Sequence, residues 1–191
     1  MNLDKTIFLK GETIALRALN EKDIEGNYRQ WLNDPEIVKF NSHGRFPMTP
    51  EKLSEFVQSS FRSNTSLVLA VIDLNTQKHI GNISLQGISW VDRNAEIAFL
   101  LGEKDYWGKG VMLEAGGLLI RHGFDSLNLH RIYCGTSSAN IGMQRLAEKL
   151  KMEKEGVRKD ALFKEGAYHD IIEYGILNSR DYFFKSVSLY A

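Results

Sequence analysis

A chain of 191 residues with 43% hydrophobic content can bury one sizeable core, so one domain is the expected count. Its 24 Lys and Arg balance 24 Asp and Glu with no basic block, which leaves no electrostatic footprint for nucleic acid or for an anionic membrane. The single Cys134 excludes an internal disulfide, and the first twelve residues lack the pattern of a secretory signal, so the expected location is the cytoplasm.

In chain order, residues 13–19 alternate like a strand, and Asn20 then caps a helix running toward Trp31, with acidic Glu21 and Asp23 in its first turn. Asn33-Asp34-Pro35 ends that helix. Thr49-Pro50-Glu51 gives a cap, a proline at the first helical position and an acidic first turn, which starts a second helix to about Arg62. Residues 67–73, 79–89 and 95–101 are three strand-like runs separated by polar turns, the pattern of an antiparallel meander. A helical pattern follows over 111–127, in which Leu113, Gly117, Ile120, Phe124 and Leu127 form one apolar stripe. Gly116-Gly117 costs roughly 1 kcal/mol of helix propensity per residue, which implies close packing there. Residues 131–136 predict a strand, 141–150 a helix, and 157–163 with 168–177 a closing pair of strands. No linker or repeat divides the chain, so residues 1–180 read as one domain. Residues 181–191 read as a tail, with Tyr182, Phe183 and Phe184 as candidate docking residues for a homodimer.

Between the strand at 95–101 and the helix at 111 stands Asp105-Tyr106-Trp107-Gly108-Lys109-Gly110-Val111. Two glycines two apart let the backbone turn tightly, and the N–H groups that open the following helix have no intrahelical partner. A phosphate oxygen would supply one, with the helix dipole adding a fraction of a kcal/mol to roughly one, so the corner is either a plain turn or a diphosphate site. The third glycine and distal acid of a dinucleotide fingerprint are missing, as is the hydroxyl that follows Gly-Lys in a P-loop. The five histidines are scattered without ligand spacing, so no metal is expected.

Taken together, the run 95–102, Trp107-Gly108-Lys109-Gly110, Glu114-Ala115, Asn140, Glu148-Lys149-Leu150 and Glu155-Gly156 resembles the GCN5-related N-acetyltransferases, and within them the Rim-type branch. The resemblance extends from Leu16-Arg17-Ala18-Leu19 and the segment 31–36 to Tyr168-His169-Asp170. It implies an α+β fold: a single twisted, mostly antiparallel sheet of about seven strands, splayed centrally and flanked by about four helices. It implies acetyl-coenzyme A as cosubstrate, held at Leu100 and Leu101, by Gly108, Lys109, Gly110 and Val111 at the diphosphate, and by Asn140 at the pantetheine arm. Its second partner would be an amine acceptor.

Two departures stand out. Asp105 occupies the place where the family loop usually has Gln or Arg, and Met143 and Ala147 replace the Ser or Tyr that often protonates the departing thiolate. An alkyl amine has a pKa near 10, so attack on a thioester needs a base. Glu96 matches a Glu that serves as base in some relatives, and alternation turns it away from Ile97, Phe99 and Leu101; its structural alternative is an ion pair with Arg93 or another cation. Tyr168 is the candidate proton donor to sulfur. Glu114 fits a dipole role in the first turn of its helix, and Asn140 fits a helix cap as well as a cofactor contact. The expected function is acetyl transfer to a primary amine of a small molecule or a peptide N-terminus; the alternative is a catalytically silent acyl-coenzyme A binding module.

Overall fold

The computed structural model describes residues 6–41 and 43–178; the candidate dimer residues Tyr182, Phe183 and Phe184 lie outside the described residues. Eight strands form one sheet: β1 (Ile7–Lys10), β2 (Ile14–Ala18), β3 (Leu67–Asp73), β4 (His79–Ser89), β5 (Asn94–Leu101), β6 (Arg131–Ser137), β7 (Glu153–Lys164) and β8 (Ala167–Leu177). Their order is β1-β2-β3-β4-β5-β6-β8-β7. Every pairing is antiparallel except β5 with β6, so the meander over β3–β5 stands as expected.

Five helices cover it: α1 (Glu21–Glu25), α2 (Tyr28–Asn33), α3 (Pro50–Arg62), α4 (Val111–Asp125) and α5 (Ile141–Lys149). The helix expected from Asn20 to Trp31 is two, because it stops at Gly26 and restarts after Asn27. Asn20 does cap α1, accepting from the Lys22 N–H at 2.9 Å, while the Asp23 carboxylate accepts from the Asn20 N–H at 2.8 Å. That reciprocal box satisfies two helix-end donors.

Alternation along the strands divides the apolar residues between two cores. On one face Ile83, Leu85, Ile97, Ile132 and Tyr174 pack with Ala115, Leu119 and Phe124 of α4 and with Ala147 of α5. On the other, Ala70 and Ile72 pack with Tyr28, Trp31 and Leu32 of α2 and with Leu53 and Val57 of α3. The buried stripe of α4 is rotated from the expected one: Gly117 has open space around it, whereas a Cβ on Gly116 would sit 2.8 Å from the Leu150 side chain. Close packing is thus the business of Gly116 alone in that pair.

Asp23 has a second role that its place in a helical first turn hides. Arg17 donates to both its oxygens, at 2.7 and 2.6 Å, and the His79 ring lies 3.3 Å away. Burial pushes this carboxyl up, but the hydrogen bonds from Arg17 and His79 outweigh it and hold the group far below the usual carboxylate range. The pair ties β2 to α1 and to the start of β4, and so fixes α1 over the sheet.

Candidate active site

The site is a consequence of one incomplete ladder. β5 and β6 pair over only three positions, Asn94↔Arg131, Ala95↔Ile132 and Glu96↔Tyr133. Past Glu96, β5 runs on to Leu101 paired only with β4, and β6 runs on to Ser137 paired only with β8. The two strands therefore part at Glu96 and leave a V-shaped gap with unpaired main-chain edges. An extended ligand bearing amide groups completes such an edge as a strand would. Leu100 packs toward the α1–α3 core and Leu101 toward the α4 core, so their side chains are engaged and their main chain lies along the unpaired edge of β5.

At the mouth of the gap, α4 begins without a side-chain cap. Gly108 and Gly110 have φ of 75° and 81°, the left-handed region that glycine enters without a Cβ penalty, and a Cβ at either would meet nothing within 4 Å. The Leu113 and Glu114 N–H groups both return to the Gly110 carbonyl, at 2.9 and 3.2 Å. Those of Val111 and Met112 have no protein acceptor among the described residues. Two free donors, the positive helix end and bare glycine backbone are the chemistry a diphosphate needs.

The segment before this corner is held from four directions. The Glu103 carboxylate accepts from the Asn27 amide at 2.9 Å and the Trp31 indole at 3.2 Å. Lys104 reaches Asp34 at 2.9 Å and Glu36 at 2.5 Å. The Tyr106 hydroxyl donates to Asp73 at 2.6 Å, and the Trp107 indole donates to the Leu101 carbonyl at 3.1 Å. Lys109 lies over the Tyr106 ring, 5.6 Å from its centroid, and Asp105 sits among the residues around Trp31 and Gly102. Glu103, Lys104 and Tyr106 were not singled out by sequence, because their partners are 33 to 76 residues away.

Asn140 caps α5, accepting from the Met143 N–H at 3.1 Å. Met143 packs against the main core and Ala147 is fully buried within it, so neither place offers a proton. Leucine at position 143 keeps nearly the same volume. Met143→Leu is expected to cost under about 1.5 kcal/mol of stability and to leave turnover close to wild type, as thermal melts and a rate assay will show.

Glu96 is half-buried at the vertex of the V, on the face opposite to the buried Ile97. Arg93 does not pair with it, since its guanidinium bonds the Asn128 carbonyl and side chain at 2.7 and 2.8 Å. Burial pushes the Glu96 carboxyl up; the Arg158 charge and the Gly135 N–H pull it back in part, and Glu173 adds to the rise. Arg158 and Glu173, ion-paired at 2.8 Å, come from β7 and β8. Glu114 holds the β1–β2 turn: its carboxylate accepts from the Glu12 and Thr13 N–H groups and the Thr13 hydroxyl. Tyr168 is not brought against Glu96. It is 66% exposed, its ring packs at a tilt against Phe163 with centroids 5.0 Å apart, and it stands three residues beyond Ile171, the last β8 residue in register with β6.

Comparison with known proteins agrees with this geometry. Residues 13–153 match the family model of the acetyltransferase (GNAT) domain. The probable N-acetyltransferase YjcK of Bacillus subtilis is 28% identical over 180 residues, covering 91% of this chain and 98% of its own length. Spermidine N-acetyltransferase from Vibrio cholerae, solved with CoA and spermine, superposes with a TM-score of 0.80 at 24% identity, covering 87% of this chain and 96% of the other. RimL, a ribosomal-protein α-N-acetyltransferase solved with coenzyme A, gives a TM-score of 0.81 at 20% identity, with 90% and 97% coverage. With the splayed sheet, the uncapped α4 corner and a matched domain spanning most of its length, this chain belongs to the GNAT family of N-acetyltransferases.

Proposed function

We propose that the protein transfers the acetyl group of acetyl-coenzyme A to a primary amine, by direct attack of the amine within the gap between β5 and β6. The observation that carries this reading is the uncapped start of α4 at the mouth of a splay whose vertex holds a half-buried carboxylate. The cosubstrate supplies an acetyl thioester. The N–H groups around Gly108 to Val111 would bind its diphosphate, the main chain at Leu100 and Leu101 its pantetheine amides, and Asn140 the same arm beside its capping bond. Glu96 would take the proton from the acceptor ammonium, directly or through a water.

The relatives support an amine acceptor of more than one kind. One structural neighbour was solved with spermine, and another acetylates a ribosomal protein at its α-amine. Fold does not decide between these classes. A panel of polyamines, amino sugars, aminoglycosides and N-terminal peptides, read as free thiol released from acetyl-coenzyme A, decides it. Amine-dependent thiol release with one class supports the reading. Binding of the cosubstrate with no release across the panel would return the chain to the silent-module alternative.

For the departing thiolate, Tyr168 enters only through solvent, given its exposure and its place roughly 10 Å along β8 from the end of the β6 pairing. A coenzyme A thiol has a pKa near 8.5, which makes it a tolerable leaving group without a dedicated acid. Tyr168→Phe is therefore expected to slow turnover no more than about threefold; a drop of about a hundredfold would place the hydroxyl on the sulfur itself.

A further inference from the structure

We propose that Arg158, anchored by Glu173 on the neighbouring strand, is a positioning residue that holds the Glu96 carboxyl ionised at the vertex of the splay. This rests on the reading of Glu96 as the base. Cross-strand partners share a face, and the register runs Glu96↔Tyr133↔Gly175 and Gly135↔Glu173, with Arg158↔Ile171 two residues along β8. Glu96, Gly135, Glu173 and Arg158 therefore lie together on the face turned away from α4. Glu173 fixes the guanidinium at 2.8 Å. An Arg158 Nη lies 3.5 Å from where a Gly135 Cβ would be, and Ile171 lies 3.1 Å from the same point. Gly135 thus leaves a bare stretch of backbone between the arginine and the glutamate, and its own N–H turns to the Glu96 carboxyl just past the last β5–β6 pair.

The charge balance gives the arginine its role. From β8, Glu173 repels an ionised Glu96; from β6, the buried Cys134 thiol, pushed up to about 12 first by burial, stays neutral; from β4, Glu96 faces the uncharged Gln86. Arg158 on β7 is the cation that opposes both burial and Glu173. Its side chain is 61% exposed, so an isolated ion pair there would add little to stability, yet its charge still acts on the half-buried Glu96 carboxyl. An exposed cation also makes the effect sensitive to salt.

The test titrates the Glu96 carboxyl by carbon-13 NMR, its signal assigned by its loss in Glu96→Gln, in wild type, Arg158→Gln and Arg158→Lys. Arg158→Gln should raise the Glu96 pKa by about half to one unit, and Arg158→Lys should restore most of it. The acid limb of kcat/KM should move upward by the same amount while affinity for coenzyme A stays constant. Raising NaCl to about 1 M should narrow the gap between wild type and Arg158→Gln. A Glu96 titration identical in wild type and Arg158→Gln overturns the proposal, because a merely structural hairpin contact would change melting alone. A carboxyl that moves while the rate limb stays supports the coupling and instead removes Glu96 from the role of base.

Discussion

Replacing Gly110 with valine should weaken coenzyme A binding at least tenfold, equivalent to about 1.4 kcal/mol, while the protein still folds. Gly110 is the residue that turns the chain into α4 at φ 81°, and its surroundings would leave a Cβ in open space. No core contact is therefore lost. A branched residue pays roughly 1–2 kcal/mol for the left-handed region, which distorts the corner, and it places methyl groups where a phosphate oxygen must approach the free N–H groups of Val111 and Met112. Calorimetry on the folded variant measures the loss. A second ligand isolates its cause: acetyl-pantetheine lacks the diphosphate, so its weaker productive binding, read as KM, should be nearly the same in variant and wild type. Equal affinity of the two proteins for coenzyme A would remove the phosphate from this corner.

That corner was legible in the sequence because all its parts are local. Two glycines, the end of a strand at Leu101 and the start of a helix at Val111 follow one another directly along the chain, and the physics of an uncapped helix start needs nothing more distant. Edges were harder. The outermost β1 is four residues long, too short a period to separate from a loop, and it makes the sheet eight-stranded where about seven were expected. β7 begins at Glu153, four residues before its expected start, because an exposed edge strand has no buried face to impose alternation. The break at Gly26-Asn27 was missed for the opposite reason: the apolar residues on both sides, Ile24, Tyr28, Trp31 and Leu32, all pack into one core, which reads as a continuous helix.

The vertex of the splay was half legible. Glu96 could be placed on its face by counting along one strand, but its neighbours could not. Gly135, Arg158 and Glu173 come from three other strands, and the order that puts β8 between β6 and β7 is what carries them to the same face. In sequence, Arg158 is one more charge in a polar strand. Of the cations offered as partners, the named one, Arg93, closes the turn at Asn128 instead, because proximity along the chain was the only guide to it; the other cation is Arg158. Tyr168 was a candidate because it opens a strand expected near the acceptor side, and the length of β8 carries it out toward the hairpin tip.

Glu96→Gln should lower the rate of acetyl transfer about a hundredfold or more and leave coenzyme A affinity nearly unchanged, since the amide keeps the shape and loses the base. The pH profile gives the sharper reading. A base works when ionised, so wild-type kcat/KM should rise with pH through the Glu96 pKa, which burial raises from its ordinary value. The glutamine variant should lack that limb and follow only the deprotonation of the amine in solution. Stability moves the other way. A carboxyl whose pKa is raised in the folded state favours folding most below its unfolded pKa, and that contribution is lost as pH rises through the folded value. Above the folded pKa wild type therefore carries an ionised Glu96 in a half-buried place, and the neutral amide does not. The variant should melt no lower than wild type there, so lost activity cannot be laid to unfolding. If it turns over at the wild-type rate from pH 6 to 9, Glu96 is part of the charge cluster with Arg158 and Glu173 and nothing more, and the acceptor amine loses its proton elsewhere.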